Sequence, residues 1–139
     1  MAIQSKIIDG VGRIQLDRPE KANAYDRAHL SALQDAFRAV SERAPVVIIE
    51  STHPTVFCAG ADLNQMRHAT PADAKNLFSQ VVFTEIARSP TVSIAVVDGA
   101  AIAGGFELAM ACDLRVLGPN ASFRLPEVEL GIIPAAGGS

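Results

Sequence analysis

Residues 98–113 read DGAAIAGGFELAMACD and directly follow the apolar run 91–97, TVSIAVV. Val92, Ile94, Val96 and Val97 predict a buried strand. It runs into a turn of small residues, and a helix begins near Gly104. The pair Gly104 and Gly105 lets the backbone approach a ligand with no side chain in the way. A helix that starts there turns its unpaired N–H groups, and the positive end of its dipole, toward whatever lies above it. Glu107 falls within the first turn, so a carboxylate hangs over the same spot. Such a combination polarises a carbonyl oxygen and sets an acid or base beside it.

The same pattern occurs upstream. Pro45 opens a second buried strand over 46–50. A loop begins at His53-Pro54 and closes with FCAGAD, 57–62, after which a short or irregular helix starts. Twice, then, a Val/Ile-rich strand leads into a glycine loop, first Ala59-Gly60-Ala61 and later Ala103-Gly104-Gly105, and on toward a helix. Between them lies a helix with Pro71 in its first turn, running to about Ser89 before Pro90, with Leu77, Val81, Val82 and Ile86 inward. If that helix joins two parallel neighbouring strands, both loops leave the sheet at one edge, where α/β folds bind ligands. The N–H groups of Ala61 and Gly104 then converge on one point, the geometry of an oxyanion hole.

Outward from this centre, residues 3–8 and 11–17 alternate around Asp9-Gly10 and predict a β-hairpin. Residues 18–23 form a loop, and Asp26 caps a helix with Leu30, Leu33, Phe37 and Val40 on one face. Downstream come a strand over 114–117, a turn at 118–120, an extended piece at 122–124, and a last turn or short helix opened by Pro126-Glu127.

The length of 139 residues suits one domain with a real core. Apolar residues make up 49% and charged residues 19%, as in ordinary globular chains, and the net charge of −3 gives no reason to expect nucleic acid. Having no Trp and one Tyr also argues against base-stacking surfaces. Cys58 and Cys112 read as buried thiols, and no His/Cys spacing predicts a metal site. The N-terminus lacks the basic and apolar regions of a signal peptide. Asp98 interrupts the longest apolar stretch, so no membrane span and a cytoplasmic location are expected.

Glu107 and Glu127 stand out as carboxylates among apolar neighbours, where burial raises a carboxyl pKa and suits it to proton transfer. Helix-dipole and helix-start roles explain both equally well on spacing alone. Asp62 reads as a helix cap and Asp113 as a strand-entry hydrogen bond. His29, His53 and His68, with Arg13, Arg18, Lys21 and Arg27, read as a solvated surface. A dinucleotide fingerprint fails because Ala101 stands at its middle glycine, and 98–107 contains no serine nucleophile.

Four segments, RPEKANA (18–24), FCAGADL (57–63), DGAAIAGGFELAMACD (98–113) and LPEVELGIIPAAGGS (125–139), resemble the crotonase, or enoyl-CoA hydratase/isomerase, superfamily in order and spacing. The resemblance implies an α/β crotonase-like (ClpP/crotonase) spiral of repeated ββα units. It implies that 1–139 is the N-terminal core, cut within its last motif before a helical segment that builds trimers or hexamers. The oxyanion hole falls on the backbone N–H groups of Ala61 and Gly104. Glu107 and Glu127 match the two hydratase glutamates: one activates water for attack at C3, and the other, Glu127, exchanges a proton at C2. Lys21, Ala22 and Ala24, with the backbone of Ala59, Asp62, Leu63 and Asn64, match positions that hold coenzyme A, which enters as part of the acyl-CoA substrate with no separate cofactor. Ala103 replaces the first of three family glycines, Phe106 a smaller residue, and Leu125 a glutamine of several hydratases.

Two carboxylates favour hydration of an enoyl-CoA, since an isomerase works with one. The rivals are a Δ3-Δ2-enoyl-CoA isomerase, a serine-dependent hydrolase of the related spiral fold, and an inactive core.

Overall fold

A computed structural model of the chain describes residues 2–66 and 77–139. The expected hairpin pairs β1 (Ile3–Ile8) antiparallel to β2 (Val11–Leu16). Its turn places Asp9 and Gly10 at φ 50° and 78°, the left-handed pair that matches strand twist. Helix α1 (Arg27–Ser41) follows, with the Asp26 carboxylate accepting from the His29 N–H at 3.0 Å and Leu30, Leu33, Phe37 and Val40 buried, as the period predicts.

Strands β3 (Val46–Ser51), β5 (Val92–Val97) and β7 (Leu114–Leu117) join the hairpin in one sheet of order β1-β2-β3-β5-β7. Every pairing after the hairpin is parallel, so the β3–β5 neighbour relation required by the repeat is present. Val47, Ile49, Ala95 and Val97 from its inner strands are fully buried. A second, three-stranded parallel sheet contains β4 (Val56–Cys58), β6 (Ala100–Ile102) and β8 (Ser122–Arg124). Each long strand is thus followed by a short one in the other sheet. After the first pair come α2 (Leu63–Met66) and α3 (Phe78–Arg88), after the second α4 (Gly104–Ala111), and after the third a 3-10 turn (Glu127–Leu130). This is the crotonase-like spiral of ββα units.

The structure differs from the sequence reading in several places. β4 and β6 occupy stretches read as loops; three residues are too few for a two-residue period to show. On α3, Val81 faces outward at 54% exposure, while Val82, Phe83 and Ile86 fill the core. The proposed helix start at Pro71, and His68, lie outside the described residues. Asp113 behaves as expected: its carboxylate accepts from the N–H and hydroxyl of Ser93, at 2.7 and 2.8 Å, and ties the end of α4 to β5. Both cysteines are free and buried. No described helix is long and apolar enough to cross a membrane.

The two sheets are held close enough that backbone meets backbone. A Cβ on Gly105 would stand 2.0 Å from the Cys58 carbonyl oxygen, and one on Gly99 2.5 Å from the carbonyl carbon of Thr55. No rotamer relieves a collision with main chain, so α4 must move off β4. Gly105→Ala is expected to destabilise the fold by about 1–3 kcal/mol or more, read as a lower denaturant midpoint with unchanged slope. A midpoint within error of wild type contradicts this packing.

Candidate active site

Both glycine loops leave at the same edge and touch. A Cβ on Gly60, which sits at φ 89°, would stand 2.9 Å from the Ile102 carbonyl oxygen and 3.0 Å from the Gly104 nitrogen. Ala61 is held by a parallel bridge to Tyr25 that uses the neighbouring groups: Tyr25 N–H donates to Gly60 O and Asp62 N–H to Tyr25 O, both at 2.8 Å. The N–H of Ala61 itself has no acceptor among the described residues, nor has that of Gly104, the first residue of α4. Sequence placed the two together through the strand–loop repeat, and both line one cavity.

That cavity, of about 240 Å³, is otherwise walled by apolar side chains such as Leu63, Leu77, Ile102 and Ile133, and admits two carboxylates, Glu107 and Glu127. Both are at least 95% buried, at 4% and 5% relative exposure. They are held differently. Glu107 Oε1 accepts from the N–H groups of Ala136 and Gly138, at 2.7 and 2.9 Å, which fixes it against the 134–138 segment. Glu127 opens the 3-10 turn, and its buried Oε2 has no hydrogen-bond partner among the described residues. An ionised oxygen in that state is costly unless a ligand or water completes it.

The residue that sequence reasoning passed over is Tyr25, the chain's only tyrosine. It lines the cavity between Ala61 and Gly104, beside Ser79, and packs edge-on against Phe83 at 5.9 Å between ring centres. Burial pushes its phenol well above the ordinary range, with Cys58 and Glu107 adding to the effect and the Ser79 hydroxyl opposing it. It therefore stays neutral. Its signal was position: it directly follows RPEKANA and precedes the α1 cap. Asn23 was missed too; it is buried at φ 55° and donates to Ser51 Oγ and Phe57 O at 2.7 and 3.0 Å, pinning its loop to β3 and β4.

Of the residues matched to coenzyme A positions, Ala59 and Leu63 line the cavity. Ala59 N–H donates to Ala22 O at 3.0 Å, and Ala24 N–H to Lys21 O at 2.9 Å, so loop 18–24 packs along 59–62. Lys21 and Asn64 are exposed. Asp62 accepts from Asn64 N–H at 3.0 Å, the cap expected of it. Three surface readings are corrected. His29 Nδ1 lies 2.6 Å from Asp26, and His53 Nδ1 accepts from the N–H groups of Thr55 and Val56, both at 3.1 Å. Arg18, half-buried, donates to Ala24 O at 2.9 Å and stands 3.4 Å from Asp26 and 3.9 Å from Asp62. Cys58 is no nucleophile, since burial pushes its thiol up to about 12.

The chain resembles known proteins over nearly its whole length. A family described as "Enoyl-CoA hydratase/isomerase" matches residues 6–139. A probable mitochondrial enoyl-CoA hydratase 2 of Arabidopsis thaliana is 43% identical over 134 residues, 94% of this chain and 44% of that protein. An enoyl-CoA isomerase/hydratase of Mycosarcoma maydis is 36% identical over 147 residues, 95% of this chain and 53% of that protein. The crystal structure of an enoyl-CoA hydratase from Bacillus anthracis superposes with a TM-score of 0.92 at 32% identity, covering 99% of this chain and 55% of that one. The chain spans about half the length of the curated relatives it matches.

One departure from the family pattern leaves a mark on the backbone. Ala103, where the resemblance places glycine, adopts φ 51° and ψ −125° at the N-cap of α4, a region that side chains resist. Ala103→Gly is expected to relieve strain of about 1 kcal/mol or more, offset in part by greater freedom of the unfolded chain. Urea denaturation should therefore give a midpoint equal to or above wild type. A loss above about 1 kcal/mol contradicts the strain.

Proposed function

The chain belongs to the enoyl-CoA hydratase/isomerase family, and from that premise we propose that it adds water across the 2,3 double bond of an enoyl-CoA thioester. The observation that carries this reading is the meeting of Glu107 and Glu127, both buried, with the free N–H groups of Ala61 and Gly104 around one cavity. The thioester oxygen accepts from those two N–H groups, at the positive end of α4. Glu107 holds water and takes one of its protons as the oxygen bonds to C3. The π electrons of the 2,3 bond pass toward the thioester oxygen, giving an enolate that the two donors stabilise. Glu127 gives a proton to C2 as the enolate collapses. One proton is taken and one given, so the carboxylate pair ends with its starting charge. An α-proton of a thioester is too weakly acidic to move at a useful rate unless the enolate oxygen is held in this way. Lys21, Ala22, Ala24, Ala59, Asp62, Leu63 and Asn64 hold the coenzyme A part, and this chemistry draws on no further cofactor. Trimer or hexamer assembly belongs to the same reading, supported by Leu114, Val116 and Leu117, each more than half exposed on β7.

A specific observation favours a second reading. Glu107 Oε1 already accepts two backbone N–H groups, whereas Glu127 Oε2 has no partner among the described residues. One free carboxylate suffices to carry a proton between C2 and C4 of a 3-enoyl thioester.

Incubating the full-length protein with crotonyl-CoA separates the two. Hydration is expected to abolish the enoyl absorbance, with kcat falling about 10²–10⁴-fold in both Glu107→Gln and Glu127→Gln. A wild type inert toward crotonyl-CoA that converts 3-enoyl thioesters, losing that activity in Glu127→Gln alone, replaces hydration with isomerisation.

A further inference from the structure

The two free N–H groups come from separate loops, and catalysis by such donors depends on their spacing. One residue touches both. The main chain of Tyr25 brackets Ala61, accepting from Asp62 N–H and donating to Gly60 O, each at 2.8 Å. Its side chain reaches the other loop: a Cβ on Gly104 would stand 1.8 Å from the phenolic oxygen and 2.8 Å from Cζ. The phenol thus rests on the bare Cα of Gly104, in contact with the peptide whose N–H is free. The ring has little freedom to yield, since Phe83 meets it edge-on and Ser79 lies beside it in the cavity wall. Because Phe83 is buried and Ser79 sits one turn earlier on α3, the support comes from a third element outside either loop.

We infer that Tyr25 is a positioning residue, a strut that sets the separation of the Ala61 and Gly104 N–H groups and so the degree to which they polarise a thioester carbonyl. The inference rests on the reading of those groups as an oxyanion hole. It also explains glycine at 104 in this chain: the strut occupies the place of the missing Cβ.

Tyr25→Phe keeps the ring and the backbone bridge and removes the oxygen that bears on Gly104; Ser79→Ala removes a neighbouring hydroxyl and leaves the phenol in place. The full-length protein and both variants are loaded with [1-13C]butyryl-CoA, a saturated thioester that cannot be hydrated. Isotope-edited infrared spectra give the carbonyl stretch, which falls as the carbonyl is polarised. In wild type the bound stretch should lie below that of the free thioester. Tyr25→Phe should return it part of the way, and Ser79→Ala by less. With crotonyl-CoA, kcat of Tyr25→Phe should fall about 10–100-fold, the cost of roughly ångström misplacement, with KM within about threefold of wild type. A Tyr25→Phe protein with the wild-type stretch overturns the inference, including when kcat falls only in proportion to folded protein. A wild-type stretch equal to that of the free thioester overturns it together with the oxyanion reading. A lowered stretch without hydration of crotonyl-CoA removes the hydratase reading alone and leaves Tyr25 to be decided by the spectra.

Discussion

Helix α4 starts against β4 because Gly105 puts nothing between the helix and the Cys58 carbonyl, where a Cβ would come within 2.0 Å. Most of the architecture around the site follows from that contact. With the helix so close, the first glycine loop lies against the second, and Gly60 and Gly104 become neighbours although α2, α3, β5 and β6 lie between them in sequence. The free N–H groups of the two loops then share one cavity. Helices of ordinary spacing pack 8–10 Å from their neighbours, a distance set by side chains. Only a backbone without a side chain brings a helix terminus onto a strand carbonyl.

The sequence made much of this legible because its long elements are strongly patterned. The strands 46–50 and 91–97 and helix α1 announce themselves by β-branched runs and by a 3.6-residue apolar period, and the parallel repeat follows from topology. What escaped were features without a period. β4 and β6 are three residues each, too short for an alternating pattern to separate them from loops. Val81 and Val82 are adjacent valines, and propensity cannot say which faces the core; the packing of Phe83 and Ile86 decides it. His29, His53 and Arg18 sit in polar stretches that look solvated, yet each finds a partner close by in its own loop or turn. Tyr25 was invisible for the opposite reason, as its importance lies in contacts on distant elements.

Local rules are broken where the site is, and nowhere more than in its backbone. Ala22, Asn23 and Ala103 all take positive φ without being glycine, and all lie in the loops that frame the cavity or the 59–62 segment beside it. Asn23 offsets its own cost, since its side chain meets two acceptors and takes a donor from Arg18 N–H at 2.8 Å. Strain of this kind persists only where surrounding contacts over-determine it. The rigid pairing of β3 with β5, and the Ser93–Asp113 bonds at the far end of α4, supply that determination.

The two carboxylates show how much chemistry depends on what each already holds. Both come from polar residues buried at the edge of a largely apolar cavity, and a residue-by-residue reading of sequence gives them equal standing. Their surroundings are unequal. Glu107 gathers the N–H groups of Ala136 and Gly138, so its orientation is set before any ligand arrives and little entropy remains to be lost in fixing it. Glu127 is the opposite case: one of its oxygens is buried without a partner among the described residues, which leaves it open to a ligand's donor. One carboxylate is fixed by backbone donors and the other is left incomplete, an asymmetry on which the proposed division of roles rests. It arises here from hydrogen-bond supply alone, since the same residue type stands at both positions.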